Sequence, residues 1–591
     1  MGRKHVFLLV SAICATIAAA APAAAGARFT VRSLTVPLEH ARPDGPSIEL
    51  RYARFPARGP ARGTIVFLAG GPGEPAVESA DLLADEGLRG VRPTHDVVVV
   101  DQRGAGRSSR LRCPSLRDLD SASAREARAA IAACGASLGE RRAFFSTYET
   151  VLDLEDLRRA LGVPRIIPFG VSYGGQLAAE YARRFPERTQ AVVLDSASPS
   201  EGIDALARLP QVALPRVLRE LCAFPGCVRI LGDPRVTLAR AVELLDRRPL
   251  RGIGPQELYE LVRASDGDAL IRAELPAVLQ AATRRDAAPL VRLVRYANAF
   301  GTDVDMARYL ATTCTEGQLP WAPDSDPAGR PALLARALQA DAARYAPFPV
   351  EAVAPSLPAT LCLAWPATAR PPIPPAPETG PDVPVLVLAG REDLRTPLED
   401  QQRTAARFPG AQVLARRGVG HAVFFEDWTA CSIRALMRFL DGRALPACPG
   451  RGTPYDVALP AFRSLRAVPR PEGDVPARIG RTAVAVDLTL RDAERWALQG
   501  GLPAAGLRGG RIEGTADVNR LRLVRYEVVP GVRVSGVLRR GPDTLRVTGS
   551  GATGTLRVAG GRLRGVLDGR RIAYRPLAPR PAGATGAAAL R

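Results

Sequence analysis

The sequence predicts an α/β protein in which a largely parallel sheet is covered by helices, interrupted by a helical insertion and followed by an all-β unit. Continuous apolar runs such as Thr64-Ile-Val-Phe-Leu68 and Asp96-Val-Val-Val-Val-Asp101 alternate with stretches of helical spacing. Strands this apolar are typical of a sheet buried on both faces. From about residue 200 to 381 helical spacing dominates. Beyond Cys448, short alternating segments separated by glycine predict antiparallel strands.

The domain organisation follows from these changes of pattern. A chain of 591 residues is too long for one ordinary domain, since domains average ~150 residues. We expect a signal peptide at 1–27, a first core segment at 28–199, a helical cap at 200–381, a second core segment at 382–448, a β-rich C-terminal domain at 452–580 and a disordered tail at 581–591.

The N-terminus has the pattern of an export signal. Arg3, Lys4 and His5 precede an uncharged run to Ala20, and small residues suited to a signal peptidase follow. The run is short for a membrane span of ~20 residues, and the sequence has no second uncharged run of that length. We therefore expect a protein without a transmembrane segment that is secreted, periplasmic or attached to the cell envelope.

The cysteines are interpreted in that light. Outside the leader there are eight, and an even number in an oxidising compartment favours disulfides over metal ligands. Eight cysteines allow 105 pairings. We favour nearest neighbours, which pairs 113 with 134, 222 with 227, 314 with 362, and 431 with 448. With no C-x-x-C pair and four histidines, we expect no metal site.

The net charge of +20 has two interpretations. A basic chain suits nucleic acid or another anionic partner. However, Lys4 is the only lysine, and the arginines are scattered among alanines and glycines, as a GC-rich coding bias would produce. We expect no nucleic-acid partner. The remaining alternative is contact with an acidic cell envelope, for which the basic C-terminal domain is the candidate.

The strands can be followed in order along the core. Residues 29–55 alternate apolar and polar side chains around Pro43-Asp44-Gly45, which predicts two antiparallel strands. The strand at 64–68 ends in Gly70-Gly-Pro-Gly73, where backbone amides can approach a ligand. After the cap, apolar strands return at 383–390 and 411–415, and a last helix follows at about 429–440.

The central stretch is Gly170-Val-Ser-Tyr-Gly174, which joins a short apolar run to a segment of helical spacing. This pattern predicts a strand, a sharp turn and a helix. Glycine adopts backbone conformations that other residues avoid, so Gly170 and Gly174 permit a strained serine between them. The alternative is a flexible Gly-Ser turn without a catalytic role.

Three side chains complete an acyl-transfer site. Ser172, Asp393 and His421 each follow a predicted buried strand, in the order nucleophile, acid, base. We expect His421 to accept the Ser172 proton and Asp393 to orient the imidazole. The backbone amides of Gly71 and Tyr173 are the expected oxyanion donors, and Tyr173 is also expected to form a wall of the pocket.

These motifs together carry a resemblance. The set resembles the α/β-hydrolase fold and, more narrowly, the secreted proline iminopeptidase and tripeptidyl aminopeptidase (TAP-like) serine exopeptidases: Gly70-Gly-Pro-Gly73, Asp101-Gln-Arg-Gly-Ala-Gly-Arg-Ser108, Gly170-Val-Ser-Tyr-Gly174, Asp393-Leu-Arg-Thr-Pro397 and Gly420-His421. The resemblance covers about residues 34–448. Cys314-Thr-Glu316 and Cys362-Leu-Ala-Trp365-Pro366 also look like markers of that family. Two departures are Ala69 and Glu74-Pro75, which flank the first motif.

The resemblance implies an exported serine hydrolase, an aminopeptidase that releases N-terminal residues or short peptides through an acyl-enzyme without a cofactor. An exopeptidase needs a carboxylate for the substrate amine, and Glu316 is the candidate. Its alternative is a solvated carboxylate on a cap helix. Arg103 and Asp101 are expected to brace the sheet edge through ion pairs. The rival functions are an esterase using the same triad, and an envelope-binding protein acting through its β-rich tail.

Overall fold

The computed structural model describes residues 30–223, 227–299, 304–471, 475–498, 504–513, 520–539, 543–559 and 562–574. The expected signal peptide and the expected disordered tail at 581–591 lie outside these ranges. Among the residues described, every helix is too short or too polar to cross a membrane.

One mixed sheet forms the centre of the molecule. Its strands are β1 (Thr30–Pro37), β2 (Ser47–Phe55), β3 (Thr64–Leu68), β4 (Asp96–Val100), β5 (Ile167–Val171), β6 (Val192–Asp195), β7 (Val385–Gly390) and β8 (Ala411–Arg416). They lie in the order β1-β2-β4-β3-β5-β6-β7-β8. β1, β2 and β4 pair antiparallel, and the pairs from β4 to β8 are parallel. The carboxyl ends of β5, β6 and β7 therefore meet at one edge.

The sheet is buried on both faces, as its apolar strands predict. Val97 and Val99 of β4 pack into one hydrophobic cluster, whereas Val98 and Val100 pack into another on the opposite face. The first core segment contains the helices α1 (Ala80–Leu82), α2 (Ala124–Leu138), α3 (Thr147–Leu161) and α4 (Tyr173–Arg184). The predicted α/β-hydrolase class is confirmed by this sheet and its helical layers.

A helical segment separates β6 from β7. It contains α5 (Arg208–Leu221), α6 (Cys227–Leu231), α7 (Pro234–Arg247), α8 (Pro255–Ala264), α9 (Ala269–Thr283), α10 (Ala287–Ala297), α11 (Met306–Glu316), α12 (Arg330–Ala340), α13 (Val350–Val353) and α14 (Pro358–Leu361). We refer to residues 200–381 as the cap. The chain then returns to the sheet through β7, β8 and the helices α15 (Leu398–Ala405), α16 (Val423–Glu426) and α17 (Cys431–Leu440).

The C-terminal part contains an all-antiparallel sheet and a long helix. The helix is α18 (Ala477–Leu498), and the strands are β9 (Gly509–Glu513), β10 (Leu521–Glu527), β11 (Arg533–Leu538), β12 (Asp543–Thr548), β13 (Gly554–Ala559), β14 (Arg562–Leu567) and β15 (Arg570–Tyr574). The strands pair in sequence order. The antiparallel sheet agrees with the predicted all-β unit, but the 22-residue helix α18 was not anticipated.

The C-terminal part packs against the cap. Arg292 on α10 donates to Asp492 on α18 (2.8 Å) and to the Tyr526 hydroxyl on β10 (2.7 Å). Its guanidinium lies 3.7 Å from the centroid of the Trp496 ring, and Trp496 meets Tyr296 edge to face. One hydrophobic cluster spans both parts. The C-terminal part is thus joined to the cap by an ion pair, a hydrogen bond, aromatic contacts and a shared hydrophobic cluster.

Four disulfides join the nearest-neighbour pairs that the spacing favours: Cys113–Cys134, Cys222–Cys227, Cys314–Cys362 and Cys431–Cys448. The Cys314–Cys362 bond ties α11 to the end of α14 across a separation of 48 residues. The Cys222–Cys227 bond closes a separation of only 5 residues.

We expect the first of these two bonds to contribute more to stability than the second. Chain-entropy arguments assign about 4 kcal/mol to the longer loop and about 2 kcal/mol to the shorter. The double variant Cys314→Ala/Cys362→Ala should therefore lower the unfolding midpoint in urea more than Cys222→Ala/Cys227→Ala does. An equal loss, or the reverse ranking, would contradict this account.

Candidate active site

Ser172 lies on the turn between β5 and α4. Its backbone has φ 56° and ψ −119°, a conformation that non-glycine residues rarely adopt. The turn is held on both sides by the end of β6, since the Ser172 amide donates to Asp195 O (2.9 Å) and the Ser198 amide donates to Ser172 O (2.9 Å). The N-terminus of the 12-residue helix α4 follows directly, so its positive end lies beside the serine.

The flanking glycines are required by space. A Cβ at Gly170 would lie 1.9 Å from the carbonyl oxygen of Gly174. A Cβ at Gly174 would lie 2.1 Å from the carbonyl oxygen of Leu68 at the end of β3. Both contacts are with backbone, which cannot move aside. The Gly-x-Ser-x-Gly spacing therefore reflects close packing within this turn, at Gly170, and against β3, at Gly174.

His421 and Asp393 form a buried pair. His421 Nδ1 lies 2.9 Å from Asp393 Oδ2, and the Thr396 hydroxyl lies within hydrogen-bond distance of both groups. Asp393 Oδ1 accepts the backbone amides of Arg395 (2.7 Å) and Thr396 (2.9 Å). His421 Nε2 is buried and has no hydrogen-bond partner among the described residues. The ring nitrogen opposite the carboxylate is thus available to another group.

Burial by itself would raise the pKa of the Asp393 carboxyl. The charge and hydrogen bond of His421, together with the amides of Thr396 and Arg395, outweigh burial and hold the pKa of Asp393 below its ordinary value. A carboxylate that stays ionised can orient the imidazole and stabilise an imidazolium.

The segment after His421 is fixed by the end of β6. The two carboxylate oxygens of Asp195 accept the amides of Val423 and Phe424, both at 2.8 Å, and Ser196 Oγ accepts the amide of Ala422 (3.0 Å). Burial raises the pKa of Asp195 to about 6, although the amides of Phe424 and Val423 favour the ionised form. No role is predicted from the sequence for Asp195, the last residue of β6, or for Thr396, which lies six residues after the end of β7.

The cap contacts the histidine as well. The His421 amide donates to the carbonyl oxygen of Asp266 (2.7 Å), which lies between α8 and α9. Arg272 donates to the same carbonyl (2.8 Å) and pairs with Glu426 at the end of α16 (2.5 Å). The Asp266 side chain pairs with Arg395 beside Asp393 (2.8 Å). The cap is therefore joined by hydrogen bonds and ion pairs to the loops that carry Asp393 and His421.

Ser172 and His421 line one cavity of about 100 Å³ between the sheet edge and the cap. Its apolar wall comes mostly from the cap, through Ile203, Ala207, Pro210, Tyr309, Leu357, Pro358 and Leu361. Its charged lining residues are Glu74, Asp204, Arg263 and Arg395. A cavity of this size is on the scale that holds one small organic group.

Glu74 is the carboxylate on the core side of the cavity. It is 7% exposed, and its Oε2 accepts the amide of Gly70 (3.2 Å). A Cβ built at Gly70 would lie 3.1 Å from Glu74 Oε2 and 3.2 Å from Ser172 Cβ, so the carboxylate stands close to the serine. On the cap side, the negative charge of Asp204 is partly offset by Arg263. The departure from the family pattern at Glu74 thus places a charge beside Ser172.

Glu316 lies elsewhere. Its carboxylate accepts the backbone amide of Thr147 (2.9 Å) and the Thr147 hydroxyl (2.6 Å) at the N-terminus of α3, and it is not among the residues that line the cavity. The Tyr173 hydroxyl lies 3.0 Å from the same threonine hydroxyl, and burial raises the pKa of Tyr173 to about 12. The Tyr173 side chain is buried in the core rather than forming a wall of the cavity.

The remaining predicted residues divide between the cavity and the core. Gly71 lines the cavity, with φ 103°. Arg103 is fully buried and forms a bidentate pair with Asp153 (2.6 and 2.7 Å), as expected of a brace. Asp101 instead accepts the amides of Ala76 (2.7 Å), Val77 (2.9 Å) and Arg107 (2.9 Å), so its hydrogen bonds are with backbone.

In the part of the chain that the structure describes, no three His, Cys, Asp or Glu side chains form a group suited to a metal ion. Two of the histidines outside the cavity have other surroundings. His40 contacts Glu149, Asp153 and Asp156, which raise its pKa to about 9 although burial lowers it. Burial lowers the pKa of His95.

Comparison with known proteins matches two family models to this chain, each over part of the core and part of the cap. Residues 63–223 match a model described as alpha/beta hydrolase fold, and residues 346–453 match one described as TAP-like protein. These matches confirm the resemblance that the motifs carry. A proline iminopeptidase structure from Mycobacterium smegmatis covers 70% of this chain and 98% of its own at 17% identity, with a TM-score of 0.31.

Three relatives illustrate the range of similarity. The serine protease Hip1 of Mycobacterium tuberculosis is 33% identical over 182 residues, which is 28% of this chain and 35% of that protein. The tripeptidyl aminopeptidase of Streptomyces lividans is 26% identical over 430 residues, 66% of this chain and 76% of that protein. A proline iminopeptidase of Neisseria gonorrhoeae is 29% identical over 131 residues, 22% of this chain and 31% of that protein. The match to Hip1 thus spans about a third of that protein.

The packing of the serine turn can be tested without an activity assay. Gly170→Ala should destabilise the protein by about 3 kcal/mol or more, because its Cβ would overlap the Gly174 carbonyl oxygen. Gly329→Ala is the control, since that glycine has open space around it. The measurement is urea unfolding followed by circular dichroism. Unfolding at the wild-type urea concentration for Gly170→Ala would show that the turn has room for a side chain.

Proposed function

We propose that this chain, which has the α/β-hydrolase fold and matches the TAP-like model in its second core segment, is a serine hydrolase that removes residues from the N-termini of peptides. The observation that carries the proposal is a single cavity that contains Ser172, His421 and the carboxylate of Glu74. The first two groups supply acyl-transfer chemistry, and the third selects a cationic substrate.

In this mechanism His421 Nε2 takes the proton of the Ser172 hydroxyl as the oxygen attacks the scissile carbonyl carbon. Asp393 holds Nδ1 and stabilises the imidazolium that forms. The imidazolium then protonates the leaving amine, and the acyl group stays on Ser172. His421 then takes a proton from a water molecule as the water oxygen attacks the acyl carbon. The bond from that carbon to Ser172 Oγ breaks, His421 returns the proton to Ser172, and the product leaves with a new carboxylate.

The proposed oxyanion donors are the backbone amides of Gly71 and Tyr173. Gly71 belongs to the cavity wall, and Tyr173 begins α4, whose positive end favours a developing negative charge. Glu74 lies close to the same place and would by itself disfavour an oxyanion. A substrate with a free ammonium group brings a positive charge next to this carboxylate, whereas a neutral substrate does not.

This electrostatic argument favours an aminopeptidase over an esterase. A wholly apolar cavity would suit a neutral acyl group, whereas this cavity is lined by the carboxylates of Glu74 on the core side and Asp204 on the cap side, together with Arg263 and Arg395. The cavity volume of about 100 Å³ suits the end of a chain rather than an extended segment. The apolar wall then accepts the first side chain of the peptide. The sequence similarity to a tripeptidyl aminopeptidase and a proline iminopeptidase supports the same choice.

Export belongs to the same proposal. The leader at 1–27 directs the chain out of the cytoplasm, and the four disulfides support maturation in an oxidising compartment. The substrates are then extracellular or envelope peptides, and the mature protein is free or held at the cell envelope.

The first experiment compares matched chromogenic substrates. Wild type should cleave free-amine prolyl and tripeptidyl amides. N-acetylation of the prolyl amide, whose amine is one residue from the scissile carbonyl and can reach Glu74, should lower kcat/KM by about 10-fold or more. Ser172→Ala should reduce turnover by at least about 1,000-fold with an unchanged unfolding midpoint. Rapid cleavage of a short acyl ester with both amides untouched would refute the peptidase proposal.

A second experiment tests the amine site. Glu74→Gln should lower kcat/KM for free-amine amides by about 10- to 100-fold, because a charged hydrogen bond is lost, and should leave or raise activity on a neutral ester. Glu316→Gln serves as the comparison and should leave the preference for a free amine intact, since its carboxylate contacts Thr147. Loss of the preference in Glu316→Gln, with Glu74→Gln unaffected, would reverse the assignment.

A further inference from the structure

The outer face of the C-terminal sheet has an unusual charge pattern. Inward side chains such as Leu545, Leu556 and Leu563 are buried in the core that includes α18. Their outward neighbours Arg546, Arg557, Arg564 and Arg571 are exposed, one on each of the strands β12 to β15. We refer to these four residues as the arginine face. In these four strands the outward positions carry no Asp or Glu.

The strand register brings the arginines together. Arg557 is directly opposite Arg564, and Arg546 and Arg571 end the next row, separated by Thr555 and Val566. Like charges directly opposite each other on neighbouring strands destabilise a sheet. Repulsion between these arginines therefore destabilises the sheet, and a bound anion would reduce that repulsion.

This pattern differs from the adjoining part of the same sheet. On β10 and β11, Arg522 and Arg533 pair with Glu513 and Glu527. The residues of the arginine face form no ion pair within the described part of the chain. In the β14–β15 turn, Asp568 pairs with Arg478 instead. A general excess of arginine does not account for the absence of acids from one face alone.

The chemistry of the face indicates the class of partner. Guanidinium groups bind carboxylates, sulfates and phosphates through two parallel hydrogen bonds. Neighbouring strands lie about 4.8 Å apart, so a linear polymer with repeated anionic groups can contact several arginines at once. Ser535, Thr544 and Thr555 line a shallow groove beside Arg546, and their hydroxyls suit the hydroxyls of sugars.

Other anionic partners fit less well. The outward positions of β12 to β15 have no aromatic side chain on which a nucleic-acid base could stack. Membrane-surface elements bury an apolar face and often carry aromatic anchors, whereas the large apolar residue exposed on this face is Val566. We propose that the arginine face binds an anionic polysaccharide.

This proposal does not depend on the hydrolase chemistry, because the face lies on the C-terminal sheet and the cavity lies between the core and the cap. It gives the β-rich part a binding role that would hold the enzyme near charged glycans of an envelope. Peptide turnover and glycan binding can therefore fail separately.

The experiment uses the full mature chain. One variant replaces Arg546, Arg557, Arg564 and Arg571 with Gln. The control variant makes the same change at Arg117, Arg125, Arg128 and Arg165, which are exposed, lie on the hydrolase core and form no ion pair in the described part of the chain. Both variants lose the same net charge, and thermal unfolding checks that both remain folded.

Binding is measured against heparin, polygalacturonate, neutral dextran, phosphatidylglycerol vesicles and single-stranded DNA at 50 and 150 mM salt. Wild type should bind both anionic polysaccharides, more weakly at the higher salt, and should ignore dextran. The face variant should bind about 10-fold or more weakly, and the control variant within about 2-fold of wild type. Peptide turnover should be the same in all three proteins.

Several results would overturn the proposal. Equal losses in the two variants would assign binding to net charge. Binding of vesicles or DNA without either polysaccharide would assign the face to another class of partner. Absence of polysaccharide binding by folded wild type at 50 mM salt would reject a binding role for the face. A face variant that fails to fold is replaced by Arg557→Gln/Arg564→Gln, for which a weaker loss of the same sign is expected.

Discussion

The backbone contact between the serine turn and the end of β3 constrains the rest of the site. Gly170, Gly174 and the Leu68 carbonyl leave no volume for side chains, so the turn has a single position relative to the sheet. The hydrogen bonds between Ser172 and the end of β6 fix it from the other side. The end of β3 continues into the loop that carries Gly71, and the end of β6 carries Asp195. One region of close packing therefore fixes the positions of Ser172, of the Gly71 amide and of the Asp195 carboxylate that holds the segment after His421.

The chain around His421 is held in place by hydrogen bonds to two other parts of the protein. Asp195 holds its amides from the sheet, and the Asp266 carbonyl holds the His421 amide from the cap. Arg272 joins that carbonyl to Glu426, so the cap and the end of α16 are connected by a buried cation. The cap is consequently part of the active-site structure. These contacts hold the apolar residues of the cap at a fixed position relative to the His421 imidazole.

Much of this arrangement follows from the sequence, and the exceptions have physical reasons. Apolar runs such as residues 64–68 and 385–390 predict buried strands, and side chains that directly follow such strands must meet at one sheet edge. Helix α18 was missed because Val484, Val486 and Thr489 are β-branched, and β-branched residues also suit a strand. Its buried residues Ile479, Ala483, Val486, Leu490, Ala493 and Ala497 nevertheless recur at helical spacing. The directions of the Glu74 and Glu316 side chains depend on packing against distant residues, which local patterns do not encode.

The contact between α10 and α18 joins two helices that are synthesised at different times. Arg292 meets Asp492 across 200 residues of sequence, and Trp496 covers Tyr296 from the same late segment. During synthesis the chain emerges N-terminus first, so α10 is complete long before its covering helix exists. Until α18 has been made, the apolar side of α10 lacks this cover and can associate with other apolar surfaces. A chain that ends before α18 would therefore leave the side chains of α10 without the contacts that Asp492 and Trp496 supply.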